Sequence, residues 1–122
     1  MRSALILLAT AAVVVAVSVS SALAAGSPVA GKKVYTANGC GGCHTFKAAA
    51  STGKVGPALT KASMTAHAKS AKQSLTVFIQ KSIVAPNAYI AKGQKKGIMP
   101  STYGKSLSKK QLADLVAFLA KG

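Results

Sequence analysis

The chain has 122 residues and a formal net charge of +15, with sixteen lysines and arginines against one acid, Asp114. That length holds one small domain, and with no internal repeat or second hydrophobic block a two-domain or solenoid protein is excluded. So basic a chain invites a nucleic-acid reading, but Arg2 is its one arginine and it offers no aromatic stacking series, so that partner class is excluded as well.

The first segment is an export signal. Met1-Arg2 is a short basic start, Ala4 to Val19 is almost wholly apolar, and Ala22-Leu23-Ala24 has the small-x-small form of a cleavage site. Residues 1–24 are therefore read as a signal peptide and residues 25–122 as the mature domain. The competing reading is an uncleaved anchor, because the uncharged stretch from Ser3 to Ala30 exceeds the roughly 20 residues that cross a bilayer. No cysteine closes the apolar run, which argues against a lipoprotein anchor. An exported location, periplasmic or otherwise extracytoplasmic, follows, with membrane association under the anchor reading. Cleavage removes Arg2 and leaves fifteen lysines against Asp114, a net +14. Such a charge suits an acidic protein partner or an anionic membrane surface, and it also favours a soluble monomer.

Next in chain order, Pro28 to about Asn38 predicts a helix, with proline in its first turn and Asn38-Gly39 as its stop. It delivers the chain to Cys40-Gly41-Gly42-Cys43-His44, which holds both cysteines. A dithiol of thioredoxin type needs a βαβ setting, and no alternating β-branched run precedes Cys40. A closed zinc site needs four ligands, and His67 is the one other histidine. Covalent haem attachment uses all five residues: two thiols bond the two vinyl groups, and the adjacent imidazole reaches the iron. The expected cofactor is one covalent haem c with its iron, bound through Cys40 and Cys43, with His44 as an axial ligand.

A second axial ligand is sought among Met64, His67 and Met99. Met64 and His67 lie in "TKASMTAHAKSAK", which reads as a solvated segment, whereas Met99 lies in "KKGIMPSTYG", where Gly97 and Pro100 keep the chain out of helix. Met99 is the first choice as ligand, His67 the next, and a plastic core methionine the plain alternative. Ser74 caps a helix whose Leu75, Phe78, Ile79 and Ile83 form one apolar face ending before Pro86. Ser108 and Gln111 form a capping box ahead of Leu112, Leu115, Val116 and Leu119, a second buried stripe. Glycine- and proline-marked connections fill the rest, and essentially no sheet is expected.

Four pieces of the chain resemble class I c-type cytochromes over nearly all of the mature region. "GKKVYTANGCGGCHTF" is similar to the family's first helix and haem-binding turn, and "LSKKQLADLVAFLAKG" to its closing helix. "VGPAL" resembles the segment whose proline carbonyl supports the proximal histidine, which implies that role for Gly56-Pro57. "SIVAPNAYIAKGQKKGIMP" resembles the approach to a methionine ligand, in the form seen in cytochrome domains associated with terminal oxidases. The chain departs from the family's pattern in charge, carrying Lys95-Lys96 and Lys109-Lys110 where acidic residues are common. The resemblance implies an all-α fold of three to five helices around one haem, with the first and last helices crossing. Gly31 and Tyr35 would then meet the Leu115–Leu119 face, Tyr35 packing on the haem being the alternative. It also implies a respiratory one-electron carrier rather than an enzyme. The rival is a haem peroxidase or gas binder with a weak or open sixth position. Lys47, Lys95, Lys96 and Lys105 would then flank the exposed haem edge, while Tyr89 and Tyr103 are lesser candidates for a bond to a propionate or a buried carbonyl.

Overall fold

The computed structural model describes residues 25–122; the export-signal reading of residues 1–24 lies outside the described residues. Five helices occur in it: α1 (Pro28–Ala37), α2 (Lys61–Ser70), α3 (Leu75–Val84), α4 (Tyr103–Ser106) and α5 (Lys109–Lys121). One 3₁₀ turn, Cys40–Gly42, follows α1, and a second, Lys47–Ala49, joins two antiparallel two-residue strands, β1 (Thr45–Phe46) and β2 (Ser51–Thr52). The fold is all-α, as expected, with this ribbon as its small exception.

The helix ends follow their side chains. The hydroxyl of Ser27 caps α1 by accepting the N–H of Ala30, and Asn38 closes it. Ser74 caps α3, and at α5 both halves of the Ser108–Gln111 capping box form. Phe78, Ile79 and Ile83 are buried on α3, and Leu115, Val116 and Leu119 on α5, the two predicted faces. The segment around Met64 differs from its reading as solvated: it is α2, capped by Thr60, with Met64 and Ala68 buried. Those two residues are one turn apart, so they form a narrow apolar stripe that the surrounding lysines and polar residues conceal in composition.

Helix α1 crosses α5, the most extensive packing between elements. A Cβ on Gly31 would run into the carbonyl of Asp114 and stand 2.6 Å from Cβ of Phe118, so the close approach requires glycine. Tyr35 of α1, Phe118 of α5 and Phe46 of β1 make a triangle with ring centroids 5.1–5.8 Å apart. Asp114 is buried on the same crossing, its two oxygens accepting from the Ser27 N–H and the Lys110 ammonium, each at 2.7 Å. Lys110 sits one turn before Asp114, where the pair offsets a lysine-rich first turn that opposes the helix dipole. The carboxylate thus ties the start of α1 to the middle of α5.

Candidate functional site

Cys40 enters its 3₁₀ turn from Gly39, whose φ of 67° lies in the left-handed region that ends α1 and turns the chain toward the interior. The turn is closed by bonds from the N–H groups of Cys43 and His44 to the carbonyl of Cys40, at 3.2 and 3.0 Å. Both cysteines are free thiols. Burial pushes the Cys40 thiol above its ordinary pKa, while Cys43 is exposed.

The segment 53–59 folds back onto this turn. Gly56 donates its N–H to the Cys43 carbonyl at 2.8 Å, and Leu59 donates to Thr45 at 2.9 Å. The Thr45 hydroxyl donates to Gly53 at 2.8 Å. This places the Pro57 carbonyl 2.7 Å from Nδ1 of His44; a carbonyl can only accept, so Nδ1 carries the proton. The other ring nitrogen, Nε2, is left for a metal. A Cβ on Gly56 would stand 2.5 Å from Cε1 of His44, so the imidazole leaves no room for a side chain at residue 56. On the far side, the His44 carbonyl accepts from the Ser51 hydroxyl at 2.9 Å and from Tyr35 at 3.3 Å. Burial raises the Tyr35 phenol, the Ser51 bond opposing. The tyrosine therefore belongs to the helix crossing, the first of its two expected placements, and its hydroxyl also braces the ligand turn.

All six predicted site residues, Cys40, Cys43, His44, Gly56, Pro57 and Met99, line one cavity. Met64 and His67 line it too, so proximity alone does not choose the sixth ligand. Their settings differ. Met64 is a member of the buried core cluster on α2. His67 has Nδ1 3.1 Å from the Tyr89 hydroxyl and its ring beside those of Phe78 and Tyr89. Met99 is half-buried on an irregular segment and outside that cluster. The Tyr103 hydroxyl is 3.4 Å from the Asn38 carbonyl, a backbone carbonyl partner as in one of its two expected roles.

Of the four lysines assigned to the edge, Lys95 lines the cavity and Lys47, Lys96 and Lys105 do not. Sequence reasoning missed Val55, Ile90 and Ile98, which are both exposed and part of the lining. Isolated apolar residues in polar loops carry no periodicity, so nothing in sequence marked them as a rim. Also missed was the His67–Tyr89 pair, which joins residues far apart in sequence.

The donor set fits a covalently attached haem. Two unpaired thiols stand one turn apart at the cavity wall, an imidazole is held in a single tautomer, and glycine keeps the space beside that imidazole clear. Among the described residues no three histidine, cysteine or acidic side chains converge to hold a bare ion, which leaves the zinc alternative without a site. No helix among the described residues is long and apolar enough to cross a membrane.

The sequence model of the family described as Cytochrome c matches residues 28–122. The search of curated proteins finds no match. From the first residue of α1 to the end of the chain, the protein therefore belongs to the cytochrome c family and is a haem-binding electron carrier of small class I type, whose domain binds covalent haem c and its iron.

Proposed function

We propose that this protein is an exported one-electron carrier of a respiratory or similar redox chain, with its haem joined to Cys40 and Cys43 and held axially by His44 and Met99. The observation that carries the reading is the Pro57–His44 bond: it commits Nδ1, orients the imidazole and raises its basicity as a ligand. When bound, haem c supplies an iron that exchanges one electron, and a soft thioether on that iron favours its ferrous form. The chain's own part is to close both axial positions and keep water away. Ile79, Ile83, Leu115 and Leu119 provide apolar cavity wall, and burial of this kind raises the reduction potential further.

Three features support Met99 over its rivals. Met64 is already used in core packing, His67 is engaged by Tyr89, and Met99 lies in the proline-marked loop, outside the core cluster. Were His44 and Met99 both to hold the iron, no position would stay open for a substrate, and the haem would supply one-electron exchange alone. Val55, Ile90 and Ile98 at the cavity mouth, with Lys95 among the lining residues, suit a partner that brings a small apolar centre and an acidic margin.

Near-infrared spectroscopy of the ferric protein tests the ligand set. A weak sulfur-to-iron charge-transfer band is expected; it should vanish in Met99→Ala and persist in Met64→Ala. The reverse pattern would reassign the ligand to α2.

A further inference from the structure

The segment from Ala85 to Thr102 contains no helix or strand, yet it must present Met99 to the cavity. Its start is firm. Pro86 is buried against the cavity directly after α3, and the Tyr89 hydroxyl reaches His67. Beyond Tyr89 the anchoring thins. Among the described residues, the one side-chain hydrogen bond made by residues 90–101 runs from the Gly97 N–H to Oδ1 of Asn87, at 2.8 Å. Gly97 has a φ of 81°, in the left-handed region, and a Cβ there would meet nothing within 4 Å. Glycine is therefore used for its backbone conformation rather than to save space. That conformation turns the Gly97 amide toward the Asn87 carboxamide, two residues before Met99.

We propose that Asn87 is the positioning residue of the sixth-ligand loop: its carboxamide straps Gly97 to the turn that follows α3, next to the buried Pro86, and thereby holds Met99 in register over the cavity. The inference rests on Met99 being the ligand. A methionine on a slack loop leaves the iron easily, because the soft, uncharged thioether must be kept in place by the chain around it. The ten-residue strap between Asn87 and Gly97 restricts that loop without touching the iron. Tyr103, on the other side of Met99, is a weaker anchor, since its 3.4 Å contact is long for a hydroxyl donor.

The test is competition by free imidazole for the sixth position of the ferric holoprotein, read from loss of the sulfur band. Asn87→Ala should bind imidazole about fivefold more tightly, the factor equivalent to one net hydrogen bond. On heating, its sulfur band should disappear before its helical circular dichroism does. Asn87→Asp, which keeps an acceptor oxygen, should behave as the parent, and Tyr103→Phe should change imidazole affinity by less than Asn87→Ala. Parental affinity and a sulfur band that melts with the helices in Asn87→Ala would reduce Asn87 to a surface turn residue. Met99→Ala separates the two readings: loss of the band there leaves the ligand assignment standing whatever Asn87 does, and its retention overturns assignment and strap together. Should Asn87→Ala fail to mature, amide hydrogen exchange on the parent decides. The Gly97 amide should be protected relative to those of Gly93 and Lys96, and equal exchange would overturn the proposal.

Discussion

The Pro57 carbonyl accepts the Nδ1 proton of His44 at 2.7 Å across thirteen residues of sequence. Gly56, next to that carbonyl, has no room for a side chain beside the same ring. The two contacts fix the imidazole in tautomer and in tilt. Gly56→Ala is therefore expected to destabilise the holoprotein by about 1–3 kcal/mol, the usual cost of forcing extra volume into a packed site, and to perturb the haem absorbance. Denaturant unfolding checks the first effect. Unchanged stability would mean that the His44 ring moves aside at little cost.

The α1–α5 crossing depends on Gly31 in the same way, but it lies away from the ligand turn. Gly31→Ala should also cost about 1–3 kcal/mol, because the added carbon meets backbone and Cβ atoms rather than the end of a flexible side chain. Its haem spectrum in the folded state should match the parent's. Thermal unfolding followed at both the helical and the haem signals distinguishes this variant from Gly56→Ala.

Asp114 makes stability depend on pH in a defined direction. The hydrogen bond from Lys110, then that from the Ser27 N–H, hold its carboxyl below the ordinary 3.8. A depressed native pKa contributes stability that is fully present above the unfolded value and is lost as pH falls through the native one. The difference in unfolding free energy between the parent and Asp114→Asn should therefore be constant near neutrality and shrink below about pH 4. Asp114 is the chain's one acidic side chain. Propionate, histidine and C-terminal titrations are common to both proteins and cancel in the difference, so one that stays level down to pH 2 would remove Asp114 from this role.

The lysines set the salt dependence of encounter. Two ionised propionates would lower the net +14 of residues 25–122 to about +12, still a strongly positive surface. Electron transfer to an acidic acceptor should slow steeply as the screening length falls from about 30 Å at 0.01 M salt to about 10 Å at 0.1 M. Lys95→Glu combined with Lys96→Glu should flatten that dependence in stopped-flow measurements. A rate indifferent to salt would assign the lysines to solubility.

Much of this was legible in the chain because the signals were local or periodic. The capping residues Ser74 and Ser108 and the stripes behind them located α3 and α5, and the Cys40–His44 motif located the attachment turn. Helix α2 was not legible, since Met64 and Ala68 are its two buried residues and lysine-rich surroundings mask so narrow a stripe. The ribbon of β1 and β2 was missed because two-residue strands have no alternation to detect. Asn87 and Gly97 were opaque for another reason: their bond depends on where a glycine turns its amide, and no residue pattern records that.

Carbon monoxide offered to the dithionite-reduced protein tests the central claim most directly, because it binds ferrous haem only where an axial position is open. A carrier closed by His44 and Met99 should show no change in its Soret band on mixing, while Met99→Ala should shift at once. An immediate shift in the parent would contradict the closed carrier and favour a gas-binding or peroxidase site.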